Sequence, residues 1–111
     1  MQITKSQERD ISIFMVEGHL DTKTAKQAED ALNAAMDAGA LKLCVDFAKL
    51  DYISSVGLRV LLATMKRLKK GGGKLHLCGM NPTVKEVFDI SGFSGIFSIF
   101  GVRADAMAAF G

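Results

Sequence analysis

The chain has 111 residues, 49% of them hydrophobic and 23% charged, with a net charge of +2. That length and composition fit one domain around a single core and exclude a disordered chain. The charge is too small to argue for nucleic acid, and no apolar run is long enough for a membrane-spanning helix.

Residues Gln2 to Ser6 and Ile11 to Glu17 read as two short strands, with Gln7 to Asp10 as a polar turn between them. In the second strand Ile11, Ile13 and Met15 point one way and Ser12, Phe14 and Val16 the other. Gly18-His19-Leu20-Asp21 ends it, and Asp21 or Thr22 can cap a helix running to about Ala38. That helix turns Ala25, Ala28, Leu32, Ala35 and Met36 inward, and Gly39 stops it. Leu41 to Phe47 reads as a buried strand, with Leu41, Leu43 and Val45 on one face and Lys42, Cys44 and Asp46 on the other. A loop carrying two serines follows.

The next helix spans about Val56 to Lys70, with Leu58, Leu61, Leu62, Met65 and Leu68 at helical spacing. Gly71-Gly72-Gly73 ends it. Lys74 to Cys78 is a strand with Leu75 and Leu77 inward. Pro82 opens a short helix reaching about Ile90. Phe97 to Phe100 makes a last strand and Val102 to Phe110 a last helix. Phe88, Phe93, Phe97 and Phe100 are expected to close the core on the C-terminal side. Helices separate the middle strands, so those strands must run parallel. The fold class is therefore α/β: a mixed sheet of roughly four to five strands with about four helices. Lys42, Cys44 and His76 suggest that one sheet face is less well covered than the other.

Enzyme chemistry finds few candidates. His19 lies in a turn and His76 mid-strand, and neither has a partner at metal-ligand spacing. Both read as ordinary, partly exposed histidines. The serine run lacks the Gly-x-Ser-x-Gly elbow. Gly71-Gly72-Gly73 follows a helix, whereas a phosphate-binding loop follows a strand. Cys44 and Cys78 read as small buried hydrophobes without a disulfide. The basic group Lys66, Arg67, Lys69, Lys70 and Lys74 suits a helix C-terminus, and no aromatic residues interleave it as a nucleic-acid groove would need. No catalytic residue, metal or cofactor is expected. Met1-Gln2-Ile3-Thr4-Lys5 lacks the basic-then-apolar order of a secretory leader, so a cytoplasmic address is expected, with no membrane partner.

The informative segment is Asp51-Tyr52-Ile53-Ser54-Ser55-Val56-Gly57-Leu58. A hydroxyl at the opening of a helix meets free backbone N–H groups and the positive end of the dipole. It can cap the helix, or it can carry a phosphate. Gly57 is small enough to let a partner's backbone approach. Asp21 and the Met80-Asn81 loop are expected on the same edge, since strand-to-helix loops gather at the C-terminal strand ends. Asp46 is expected to order the serine loop.

Several of these segments together resemble the STAS domain, and within it the bacterial anti-sigma-factor antagonists. Gly18-His19-Leu20-Asp21 is similar to the family's Gly-x-Leu-Asp. Val45-Asp46-Phe47 followed by Ser54-Ser55-Val56-Gly57-Leu58 is similar to its Asp-Leu/Phe and (Asp or Ser)-Ser-x-Gly-Leu signature. The Lys-Lys-Gly-Gly-Gly-Lys turn and the Phe-x-Ile-Phe ending agree, so the resemblance spans residues 1–111. It implies a single STAS domain that is not an enzyme. The unphosphorylated form would bind an anti-sigma factor that is also a serine kinase, of the GHKL type. Phosphorylation would then release it, and a serine phosphatase is a further expected partner. By motif position Ser55 is the acceptor and Ser54 a minor alternative, standing where some members carry Asp. The expected partner surface is Asp21, Ser54, Ser55, Val56, Gly57, Met80 and Asn81. Two other readings stay open: a STAS module controlling a phosphatase, secretion system or signalling scaffold, and a small anion- or nucleotide-binding domain built on the serine edge. A monomer or weak homodimer is expected.

Overall fold

The computed structural model describes every residue from Met1 to Gly111. Its elements are β1 (Gln2–Glu8), β2 (Ile11–Leu20), α1 (Ala25–Asp37), β3 (Lys42–Ile53), α2 (Ser55–Lys70), β4 (Lys74–Cys78), α3 (Pro82–Ile90), β5 (Ser98–Phe100) and α4 (Arg103–Ala108). A single 3-10 turn, Phe93–Gly95, precedes β5. The five strands lie in chain order, β1-β2-β3-β4-β5, with β1 antiparallel to β2 and every other pair parallel. Each parallel crossover steps the same way along the sheet. With right-handed connections, that puts α1, α2 and α3 on one face. A core of 22 buried residues lies between these helices and the sheet.

The other face is covered only by α4, whose Ala106 and Met107, with Phe110 just beyond it, pack on Ile11, Ile13, Cys44 and Cys78 in a cluster of 7 buried residues. The weaker cover expected from Lys42, Cys44 and His76 is thus one six-residue helix. It corrects the reading of His76, which is buried rather than partly exposed. Its Nδ1 donates to the Ala106 carbonyl at 2.9 Å, and its ring stacks on Phe110. Arg103 Nε donates to Asp46 Oδ2 at 2.8 Å and fixes the start of α4. Cys44 and Cys78 are free, buried thiols on adjacent strands. Phe88 and Phe97 close the main core with Phe93 against them, whereas Phe100 lies beside His76 on the α4 side.

The largest departure from expectation is β3. It runs on to Ile53 rather than stopping at Phe47, so strand replaces most of the expected serine loop. The register against β2 slips twice, between Met15 and Glu17 and between Gly18 and His19. Each slip is a bulge adding one residue to β3, which carries its buried side chains from alternation to every third position: Phe47, Leu50, Ile53. Asp46 orders the first bulge and not the serines, accepting from the Ala48 N–H at 2.9 Å. Leu41 lies outside the strand and is exposed. The first helix starts at Ala25 because Thr24 holds the preceding turn. Thr24 Oγ1 donates to the His19 carbonyl at 2.8 Å and accepts from the Asp21 N–H at 2.9 Å, so neither Asp21 nor Thr22 caps it.

Gly79 follows β4 with φ +74°, and a Cβ there would lie 2.7 Å from Asp46 Oδ1. Gly79→Ala is therefore expected to lower stability by about 1–3 kcal/mol in urea unfolding. An unchanged unfolding midpoint would contradict this packing.

Candidate functional site

The serine pair is positioned by the ends of β2 and β3. Ile53 pairs with Leu20, and the Ser54 N–H donates to the Leu20 carbonyl at 2.9 Å. The chain then turns directly into α2. Ser54 takes extended backbone (φ −98°, ψ 173°), and its hydroxyl accepts from the Gly57 N–H at 3.4 Å. Its carbonyl accepts from the Leu58 N–H at 3.0 Å. Ser54 is thus the N-cap, and capping is settled on that residue.

Ser55 is the first residue of α2 and its side chain is exposed. The two uses that a serine can have here are divided between neighbours. Ser54 terminates the helix, and Ser55 presents a free hydroxyl at its positive end. No acidic residue sits in the first turn of α2, while Arg67, Lys69 and Lys70 occupy its last turn. Arg67 also bridges to Asp37 at 2.6 Å, so part of the basic group ties α2 to α1.

Gly57 has a different job from the one expected. It is buried, and a Cβ there would lie 2.8 Å from Leu20 Cγ and 2.9 Å from Ile53 Cγ1. Its smallness lets α2 sit down on the β2 and β3 ends and leaves no room there for a partner's backbone. Asn81 is likewise occupied. Its Oδ1 caps α3 by accepting from the Val84 N–H at 2.8 Å, and its Nδ2 donates to the Leu50 carbonyl at 2.9 Å. The Met80-Asn81 loop is on the expected end of the sheet but meets β3 at Leu50. Met80 and Val56 are half-buried against the main core. Asp21 follows Leu20, so the structure sets it beside Ser54; its Oδ1 accepts from the Lys23 N–H at 3.0 Å.

Two features escaped the sequence. His19 and Tyr52 pair across β2 and β3 as an exposed edge-to-face couple next to the serines. A groove of about 440 Å3 runs between α1 and α2, with Val56 and Arg59 on one wall and Lys26 and Glu29 on the other. The roomiest cleft, about 470 Å3, lies at the opposite end of the sheet against Lys5, Asp10, Lys42 and Lys74, and excludes both serines. An anion or nucleotide pocket on the serine edge finds no support in it. No group of three His, Cys, Asp or Glu side chains is placed to hold a metal ion, and no helix is long and apolar enough to cross a membrane.

The division of roles is testable by unfolding. Ser54→Ala is expected to destabilise the protein toward the lower end of roughly 0.5–2 kcal/mol, given the long cap bond. Ser55→Ala is expected to change stability by less than about 0.5 kcal/mol. The reverse ranking in urea titrations would mean that Ser55 is the cap.

Comparison with known proteins agrees with this geometry. The STAS domain profile matches residues 2–106. BtrV of Bordetella bronchiseptica, named as a candidate anti-sigma factor antagonist, is 41% identical over 99% of this chain and 95% of its own. The crystal structure of an anti-sigma factor antagonist from Mycobacterium paratuberculosis superposes with a TM-score of 0.90 at 25% identity, covering 97% of this chain and 92% of that one. SpoIIAA of Bacillus, solved in its phosphorylated form, shares the fold with a TM-score of 0.76 at 21% identity, over 99% of this chain and all of its own. With the profile spanning nearly its whole length, this chain belongs to the STAS domain family, in the group of anti-sigma factor antagonists.

Proposed function

We propose that the chain is an anti-sigma factor antagonist that works by partner switching. Unphosphorylated, it binds an anti-sigma factor that is also a serine kinase of the GHKL type, and the sigma factor is freed. The kinase then transfers the γ-phosphoryl group of ATP to Ser55. The Oγ–P bond forms, the bond to the β-phosphate oxygen breaks, and the hydroxyl proton passes to a base on the kinase. The complex separates, and a serine phosphatase restores the starting state.

One observation carries this reading: Ser55 is exposed at the first position of α2 while Ser54 supplies the cap. A phosphate on Ser55 therefore need not break the helix start. It adds roughly −1.5 to −2 charge where free N–H groups and the dipole favour an anion. The fold stays intact and the surface changes. A partner packed over Ser55 would enclose an unpaired dianion, which is strongly unfavourable. The names of the relatives support the same role. Of the expected partner surface, Asp21, Ser55, Val56 and Met80 remain as contact residues. Ser54 contributes from the cap, and Gly57 and Asn81 act by holding the others in place.

Ser55→Ala is expected to bind the cognate kinase and to resist release by ATP. Ser55→Asp is expected to bind at least about tenfold more weakly, a loss of roughly 1.4 kcal/mol or more. Both should melt with the parent. Calorimetric titration reads the affinities; equal binding by the two variants, or phosphate found on Ser54 after incubation with kinase and ATP, would overturn the assignment.

A further inference from the structure

Arg59 stands one helical turn beyond Ser55, on the same side of α2. It is exposed, lines the groove between α1 and α2, and takes part in none of the chain's ion pairs. Lys26, on the opposite wall, is already held by Asp30 at 2.7 Å. Of the two cations lining this groove, Arg59 is the free one.

We propose that Arg59 is a positioning residue that clamps the phosphate on Ser55, swinging from the groove wall to pair with it. This rests on the reading of Ser55 as the modified residue. Side chains four apart on a helix start about 5–6 Å from each other at Cβ. Phosphoserine and arginine together span that gap easily. An anion placed N-terminal to a cation is the favourable order along a helix. The planar guanidinium offers two N–H groups side by side, which match two phosphate oxygens.

The pairing has a consequence beyond the serine. It withdraws one of the groove's two positive charges and leaves Glu29 and the Asp30-paired Lys26 beside Ala25, Val60 and Ala63. Phosphorylation then redraws two adjoining patches, the helix start and the groove beside it. A partner that spans both loses complementarity twice.

The charged groups flanking position 55 along the chain and across the groove are Asp21 and Lys23 in the turn after β2, Asp51 near the end of β3, Lys26 and Glu29 on α1, and Arg59 itself. Asp21 and Asp51 disfavour a phosphate dianion and Arg59 favours it. Removing Arg59 should therefore raise the second ionisation of the phosphate. The test uses the full chain with phosphoserine installed at position 55 during translation, alone and with Arg59→Gln or Arg59→Lys. Phosphorus NMR follows the phosphate across its second ionisation, near pH 6. The midpoint in the parent is expected about 0.2–0.4 pH units below that of Arg59→Gln. Arg59→Lys should recover part of the difference, and about 1 M salt should abolish it. Indistinguishable midpoints in the parent and Arg59→Gln, with both chains folded by circular dichroism, would overturn the clamp. The phosphate is installed without a kinase, so this result stands apart from whether cells phosphorylate Ser55.

Discussion

The pairing of Leu20 with Ile53, at the far end of β2 and the twice-bulged β3, is the contact on which the site depends. It brings the Leu20 carbonyl to the Ser54 N–H and lets Gly57 settle against both side chains. The start of α2 is thereby pinned at three points by residues with no chemistry of their own. Without the second bulge, Ile53 would face away from the core and Ser54 would leave the strand on the wrong side. The position of the exposed hydroxyl is thus a result of sheet register and small-residue packing.

That pinning explains how one serine can be altered while the fold is kept. The backbone requirement of the helix start falls on Ser54, and the side chain of Ser55 carries no structural duty that the fold shows. Asn81 gives a parallel case one strand over, where a single side chain caps α3 and ties its loop to β3. Both loops are tied by hydrogen bonds to the end of a neighbouring strand. Such anchoring suits a surface that must present one group in one place and lose its partner when that group changes charge. The far face obeys the same economy: α4 is short, yet the Arg103–Asp46 pair and the buried His76 hold it in place.

Much of this architecture was legible in the chain. Helical spacing in α2, the Pro82 start of α3 and the Leu75/Leu77 alternation of β4 each named their element, because in each the apolar period matches the structure. The end of β3 was hidden for the opposite reason. Phe47, Leu50 and Ile53 recur every third residue, a period that no regular strand has, and only pairing with β2 reveals two bulges behind it. The choice between Ser54 and Ser55 as cap was equally closed to inspection, since both are good capping residues and the answer turns on where β3 stops. Nothing local to Gly57 and Asn81 signals Leu20 or Leu50, their distant partners, so the sequence alone points both residues to the surface. The burial of His76 is hidden in the sequence because a short Ala-rich helix gives little sign of which residue it will cover.

The central claim, that Ser55 is a hydroxyl held out for modification, is tested most directly on the protein as its own cell makes it. Tandem mass spectrometry of the chain purified from those cells, with its co-purifying proteins, reads both the modified residue and the state of the complex. The account predicts phosphate on Ser55 in the free fraction and unmodified Ser55 in the fraction bound to an anti-sigma factor. Phosphate confined to Ser54, or phosphorylated Ser55 within the stable complex, would contradict it.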